Sequence, residues 1–93
     1  MTDDGSGAEI RQQWSERLTV LEALVIGQER RAELLEIVSS SPDAEVARRR
    51  VADTFGLTLL QASAIQDMQV RRFAVGERER LLRERDEVRR RLL

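Results

Sequence analysis

The chain has 93 residues, 41% of them hydrophobic and 35% charged, with a net charge of −1; that is one small domain, too apolar for a disordered tail. Three aromatic residues, one proline and abundant Ala, Leu, Glu and Arg exclude a typical small β-domain and predict an all-α fold. With no Cys, His or Tyr, disulfides, thiol nucleophiles, histidine bases and the usual soft metal sites are excluded, so no catalytic residue, metal or cofactor is predicted.

Residues 1–7 are acidic and small and read as a disordered tail. Ser6 followed by Glu9 forms a capping box that starts a helix near residue 8. Ile10, Trp14, Leu18, Leu21, Val25, Ala32, Leu35 and Val38 then recur at steps of three, four or seven, which is one apolar stripe on one helix. No proline interrupts it before Pro42, so it is predicted to run over 8–39, roughly 45–50 Å. A helix that long with one apolar stripe must lie against another long helix.

Ser41 is predicted to cap a second helix over about 42–54, with Pro42 at its first position. Gly56 suits the left-handed C-terminal position, and Thr58 can cap a third helix over about 59–72. On that helix Leu57, Leu60, Ala64, Ile65 and Met68 fall on one side and, with Phe55, are predicted to form the core of a small knob. Leu59, Ala62, Gln66, Val70 and Phe73 fall on the other side. A second apolar face in so short a chain calls for a homodimer contact there, unless the second and fourth helices cover both faces.

Gly76 is predicted to break the pattern before a fourth helix over 77–93, where Leu81, Val88 and Leu92 form a thin seam. Its natural mate is the first helix, antiparallel, with Trp14, Leu18, Leu21 and Val25 facing the seam. The predicted architecture is therefore a long antiparallel two-helix coiled coil, arm helices 8–39 and 77–93, capped by a knob over 42–73. Charge agrees with that pairing: residues 1–46 carry a balance of −6 and residues 47–93 one of +5. All sixteen basic residues are arginine.

No apolar run approaches the length of a membrane span, and the start lacks the regions of a signal peptide, so a cytoplasmic protein is expected. The corner from Val51 to Ile65 also fits a helix-turn-helix spacing, which makes a small DNA-binding regulator the competing reading. The turns that would read bases, Thr58 to Ser63, hold no arginine, so specific DNA binding is not expected. Arg48-Arg49-Arg50 and Arg89-Arg90-Arg91 suit ion pairs or a solvated face more simply than phosphates.

Phe55-Gly56-Leu57-Thr58, Gln61-Ala62, Ala64-Ile65, Asp67-Met68, Arg72 and Glu77 together resemble a run, FGLSxxQAxAILDMRLxRLTxLE, in the A subunits of DNA gyrase and topoisomerase IV. Arg17-Leu18, Val20 to Leu24 and Ile26 resemble the family's RxHILEGLxIAL, and Pro42 with Ala47-Arg48 its TPEEAR. The resemblance covers about residues 11–90 in the same order. It implies the antiparallel coiled-coil arm with a knob at its tip, where two knobs meet as the exit gate of a homodimer. It implies no catalysis, since the family's catalytic tyrosine has no counterpart here. It also suggests one further partner, the gyrase A protein itself. Departures from the family run at Gln66, Gln69, Ala74 and Gly76 cluster in the knob.

Overall fold

The structure is a computed structural model that describes residues 3–93, with side chains from residue 7 onward. Among the described residues it is all helical: α1 (Asp3–Glu29), α2 (Arg31–Ser39), α3 (Ala44–Phe55), α4 (Leu59–Gln66) and α5 (Val75–Leu92), with a short 3-10 turn at Val70–Phe73. The molecule measures 54 × 28 × 19 Å. α1 and α5 form the long arm; α2, α3, α4 and the 3-10 turn gather at one end as the knob.

The arm is antiparallel. Arg11 donates to the Leu92 carbonyl at one end, and Arg78 pairs with Glu29 at the other. Leu21, Val25, Leu81 and Val88 are buried between the two helices, with Trp14, Leu18 and Leu92 packed against them. The opposite charge of the two halves is realised as cross-helix pairs, Arg17 with Glu84 and Arg89 with Glu22. The Arg91 guanidinium lies 5.0 Å from the Trp14 ring centre, closing the open end of the seam.

α1 begins at Asp3, so the expected tail over 1–7 is helical from residue 3, and Met1 and Thr2 lie outside the described residues. Once a helix is nucleated, each further residue adds a hydrogen bond, and nothing between Asp3 and Glu9 stops that propagation. The predicted single helix over 8–39 is two helices, because the backbone leaves helical geometry at Arg30 (φ −112°, ψ 35°). The bend frees the Gln28 carbonyl, which accepts from the Arg31 guanidinium at 3.1 Å. Arg30 is held there by a fork to Glu33, at 2.8 Å to each oxygen, and lies 4.3 Å from the Phe55 ring centre.

The bend falls where the long helix changes partner. Leu21, Ala23, Val25 and Gly27 are all buried. A step of two on an α-helix is about 200°, so these residues alternate between opposite faces. Leu21 and Val25 face α5, whereas Ala23 joins the knob core of Leu34, Ile37, Val51, Ala52, Phe55, Ala62 and Ile65. α1 is therefore covered on two sides, a pattern that one stripe does not describe. Beyond the bend, Leu34 and Ile37 are buried, while the stripe residues Ala32, Leu35 and Val38 are exposed. The antiparallel α5 starts only at Val75, so it does not reach that far.

The connection after α2 is polar and fully used. Ser39, Ser40 and Ser41 donate back to the carbonyls of Leu35, Glu36 and Ile37 at 2.6–2.7 Å. These bonds satisfy groups that a helix end leaves orphaned. Asp43, not Ser41, caps α3: its carboxylate accepts from the Val46 N–H at 2.9 Å. Gly56 ends α3 in the left-handed region at φ 68°, where a side chain would be strained. Thr58 and Gln61 then form a reciprocal capping box at the start of α4.

α4 stops at Gln66, not at residue 72, and the chain turns through Val70–Phe73 before α5. α5 begins at Val75 with Ala74 in extended geometry, so the break precedes Gly76, which sits in the first helical turn with open space around it.

Candidate functional site

The knob leaves an apolar groove of about 810 Å³ between α2, the start of α3, the end of α4 and the 3-10 turn. Its floor is Leu34, Ala47, Ile65 and Phe73; its walls are Leu35 and Val38 on one side and Met68 and Val70 on the other. Arg31, Asp43 and Asp67 stand at the rim. Val70 is 83% exposed and Leu35 67%, which is unusual for large aliphatic side chains clustered on so small a domain. The groove exists because α5 ends short of α2 and α4 ends short of α5.

The residues predicted for a dimer face are divided by this geometry. Gln66, Val70 and Phe73 line the groove, and Gln66 also donates to the Ala44 carbonyl at 3.1 Å, bracing α4 on α3. Leu59 is exposed at the far end of α4. Ala62 is fully buried in the knob core and cannot lie on an outer face. The predicted core set is corrected at one point: Leu60 is 70% exposed. Phe55 and Ile65 are buried, Leu57 packs against the core, and Ala64 and Met68 are half-buried.

The physical reason is size. Ala23 and Ala62 share one buried cluster, and a Cβ added at Gly27 would come 3.1 Å from Ile65. Small residues let α1 and α4 approach closely, so the face of α4 that carries Ala62 and Ile65 turns inward. A second missed residue is Gln28, 1% exposed beneath the knob. Its amide Nε2 donates to the Arg72 carbonyl and lies 3.8 Å from Met68 Sδ. A glutamine amid an apolar run was the available signal.

The arginine runs are engaged within the chain. Arg48 and Arg49 pair with Glu45, and Arg50 donates to Ile37 O, Ser40 and Ser41. Arg89 pairs with Glu22, and Arg90 and Arg91 with Glu87. Arg48, Arg30 and Arg90 hold the carboxyls of Glu45, Glu33 and Glu87 below the usual glutamate range through these hydrogen bonds. α4 exposes Leu59 and Leu60, with Asp67 exposed just past its end, and carries no basic residue. No helix is long and apolar enough to cross a membrane among the described residues.

Comparison with known proteins gives one consistent result. No family model matches the chain. The DNA gyrase A subunit of Streptomyces coelicolor is 34% identical over 73 residues, which is 78% of this chain and 8% of that protein. The DNA gyrase A subunit of Dehalogenimonas lykanthroporepellens is 37% identical over 68 residues, 73% of this chain and again 8% of the relative. The DNA topoisomerase 4 A subunit of Synechocystis is 34% identical over 76 residues, 82% of this chain. The chain thus spans under a tenth of the length of the relatives it matches. The helical arm-and-knob chain is similar, over most of its own length, to a segment of the A subunits of DNA gyrase and topoisomerase IV.

Proposed function

We propose that this chain is a non-catalytic, cytoplasmic interaction module of the gyrase A kind, which homodimerises through its knob. The observation that carries the reading is the set of large aliphatic side chains exposed on the knob: Leu35, Val38, Leu59, Leu60 and Val70. Burying each fully is worth roughly 1.5–3 kcal/mol. A second copy is the occupant that uses all of them. Leu59 and Leu60 make a ridge at the start of α4, while Gln66 and Asp67 at its end border the groove. Ridge and groove are separated by about 10 Å of helix. A two-fold axis near the middle of α4 places each ridge over the other copy's groove and buries the same face twice. Similarity to a segment of gyrase A subunits supports a link to DNA topology, and the ion-paired arginine runs favour this reading over a helix-turn-helix regulator.

Sedimentation equilibrium tests the contact. The wild-type chain at tens of micromolar should be a dimer. Val70→Glu and Leu60→Glu should each give a monomer with unchanged far-UV helicity, because a charge at either position cannot be desolvated in the contact. A monomeric wild type overturns the reading; a dimer indifferent to both substitutions moves the contact to the arm. Co-expression of a tagged copy with the full-length gyrase A protein tests the further partner: co-purification that Val70→Glu abolishes places that protein on the same surface.

A further inference from the structure

Gly27 and Gln28 stand side by side, buried, where α1 passes under the knob. Gly27 admits Ile65, the last core residue of α4, at a distance that a Cβ would crowd. Gln28 reaches the other end of the same groove wall, donating to the Arg72 carbonyl. Residues 67–74 make only short-range backbone bonds: Asp67 to Ser63 at 3.0 Å, Met68 to Ile65 at 3.1 Å, Arg72 to Gln69 at 2.9 Å, Ala74 to Arg71 at 3.3 Å and Arg78 to Ala74 at 3.0 Å. Among the described residues, Gln28 is the one side chain outside this stretch that hydrogen-bonds to it. Its Oε1 is buried without a partner. A leucine or methionine at this position would avoid that cost, so the amide is retained for the bond its nitrogen makes.

We propose that Gln28 is a positioning residue for the knob surface: its amide pins the Arg72 carbonyl, and so holds the Val70–Phe73 turn with Val70 out at the groove edge and Phe73 against the core. The inference rests on the groove being the interaction surface of the dimer. It explains how a wall of four residues in 3-10 geometry keeps one shape. Without the pin the turn is free to open and the groove loses its Met68–Val70 wall.

Amide hydrogen exchange followed by NMR on the full chain tests this with Gln28→Met and Gln28→Asn. Methionine keeps the volume and removes the donor; asparagine keeps the amide but is one methylene too short to reach. In both, the amides of Arg72 and Ala74 should exchange about tenfold faster, while those of Leu81 and Val88 in the arm keep their wild-type rates. The dimer dissociation constant should rise at least about fivefold in the same variants. Unchanged protection at Arg72 and Ala74 in Gln28→Met overturns the role, and so does equal loss of protection in arm and knob. The exchange readout does not depend on dimerisation: a monomeric wild type whose turn loosens in both variants refutes the dimer and keeps the pin.

Discussion

In the arm, the buried side chains are large and aliphatic: Leu21, Val25, Leu81 and Val88, flanked by cross-helix arginine–glutamate pairs. In the knob, the buried set mixes Leu34, Ile37, Val51, Phe55 and Ile65 with Ala23, Ala52 and Ala62, and a buried glutamine lies beneath it. The arm is held by two regular faces that meet along their length. The knob is held by close approach at a few small residues and by side-chain caps at the starts of α3 and α4. The difference matters for function, because the arm exposes large aliphatic side chains only near its ends, at Ile10, Val75 and Leu93, whereas the irregular knob leaves five of them uncovered together.

The largest expected effect breaks the arm. Leu81 is fully buried at the seam. Leu81→Ala should destabilise the fold by about 3 kcal/mol in urea unfolding, through lost transfer energy and the cavity left behind. Leu60→Ala, on the exposed knob ridge, should change monomer stability by less than about 0.5 kcal/mol. Equal costs at the two sites would mean that the ridge is packed after all and that the arm–knob distinction is wrong.

That contrast also marks what the amino-acid sequence made legible. Arm pairing followed from period and charge, because Leu81, Val88 and Leu92 repeat at helical spacing and the two halves differ in sign. The N-terminal cap at Thr58 and the left-handed Gly56 were legible because each depends on one or two neighbouring residues. The bend at Arg30 was not, since it comes from a change of packing partner that no local residue announces. Nor was the end of α4: extending it to residue 72 placed Val70 and Phe73 on one helical face with Leu59 and Ala62, when they belong to a separate turn. The inward side of α4 was hidden because alanine and glycine, weak markers of burial in a sequence, decide which helices touch.

A smaller effect tests that last point. Gly27→Ala should cost about 1–2 kcal/mol, since the methyl meets Ile65 and α4 must shift. The sign is informative, because alanine is better than glycine in a helix by about 1 kcal/mol. A stabilised variant in thermal unfolding would show that the α1–α4 spacing is not set by Gly27. Asp43→Ala should cost about 1 kcal/mol by removing the acceptor for the Val46 N–H, with α3 fraying at its first turn in NMR chemical shifts. An unfrayed α3 would mean that packing, not the cap, fixes the knob's helix ends.

The smallest effect is electrostatic, and it compares an arginine–glutamate pair at the bend with one in the arm. Arginines on α2 and α3, or at their borders, lower the carboxyls of Glu33 and Glu45, and one on α5 lowers that of Glu87. A carboxyl lowered in the folded state stabilises that state while ionised. Its contribution is complete above the ordinary glutamate value of about 4.3. It is lost as pH falls through the lowered folded values. All three pairs are at the surface, so each contributes little and weakens in salt. Glu33 is the informative one, because its partner Arg30 also lies over Phe55 at the bend. Melting temperatures measured from pH 6 down to pH 3 (about the window in which these carboxyls protonate) should fall less steeply in Glu33→Gln than in wild type, with the two curves meeting at the acid end. The same comparison on Glu87→Gln in the arm should give a similar change in slope without affecting the bend, read as unchanged amide protection at Leu34. Identical slopes for wild type and Glu33→Gln would mean that the fork to Arg30 contributes nothing, and that Phe55 alone holds the arginine where the long helix turns into the knob.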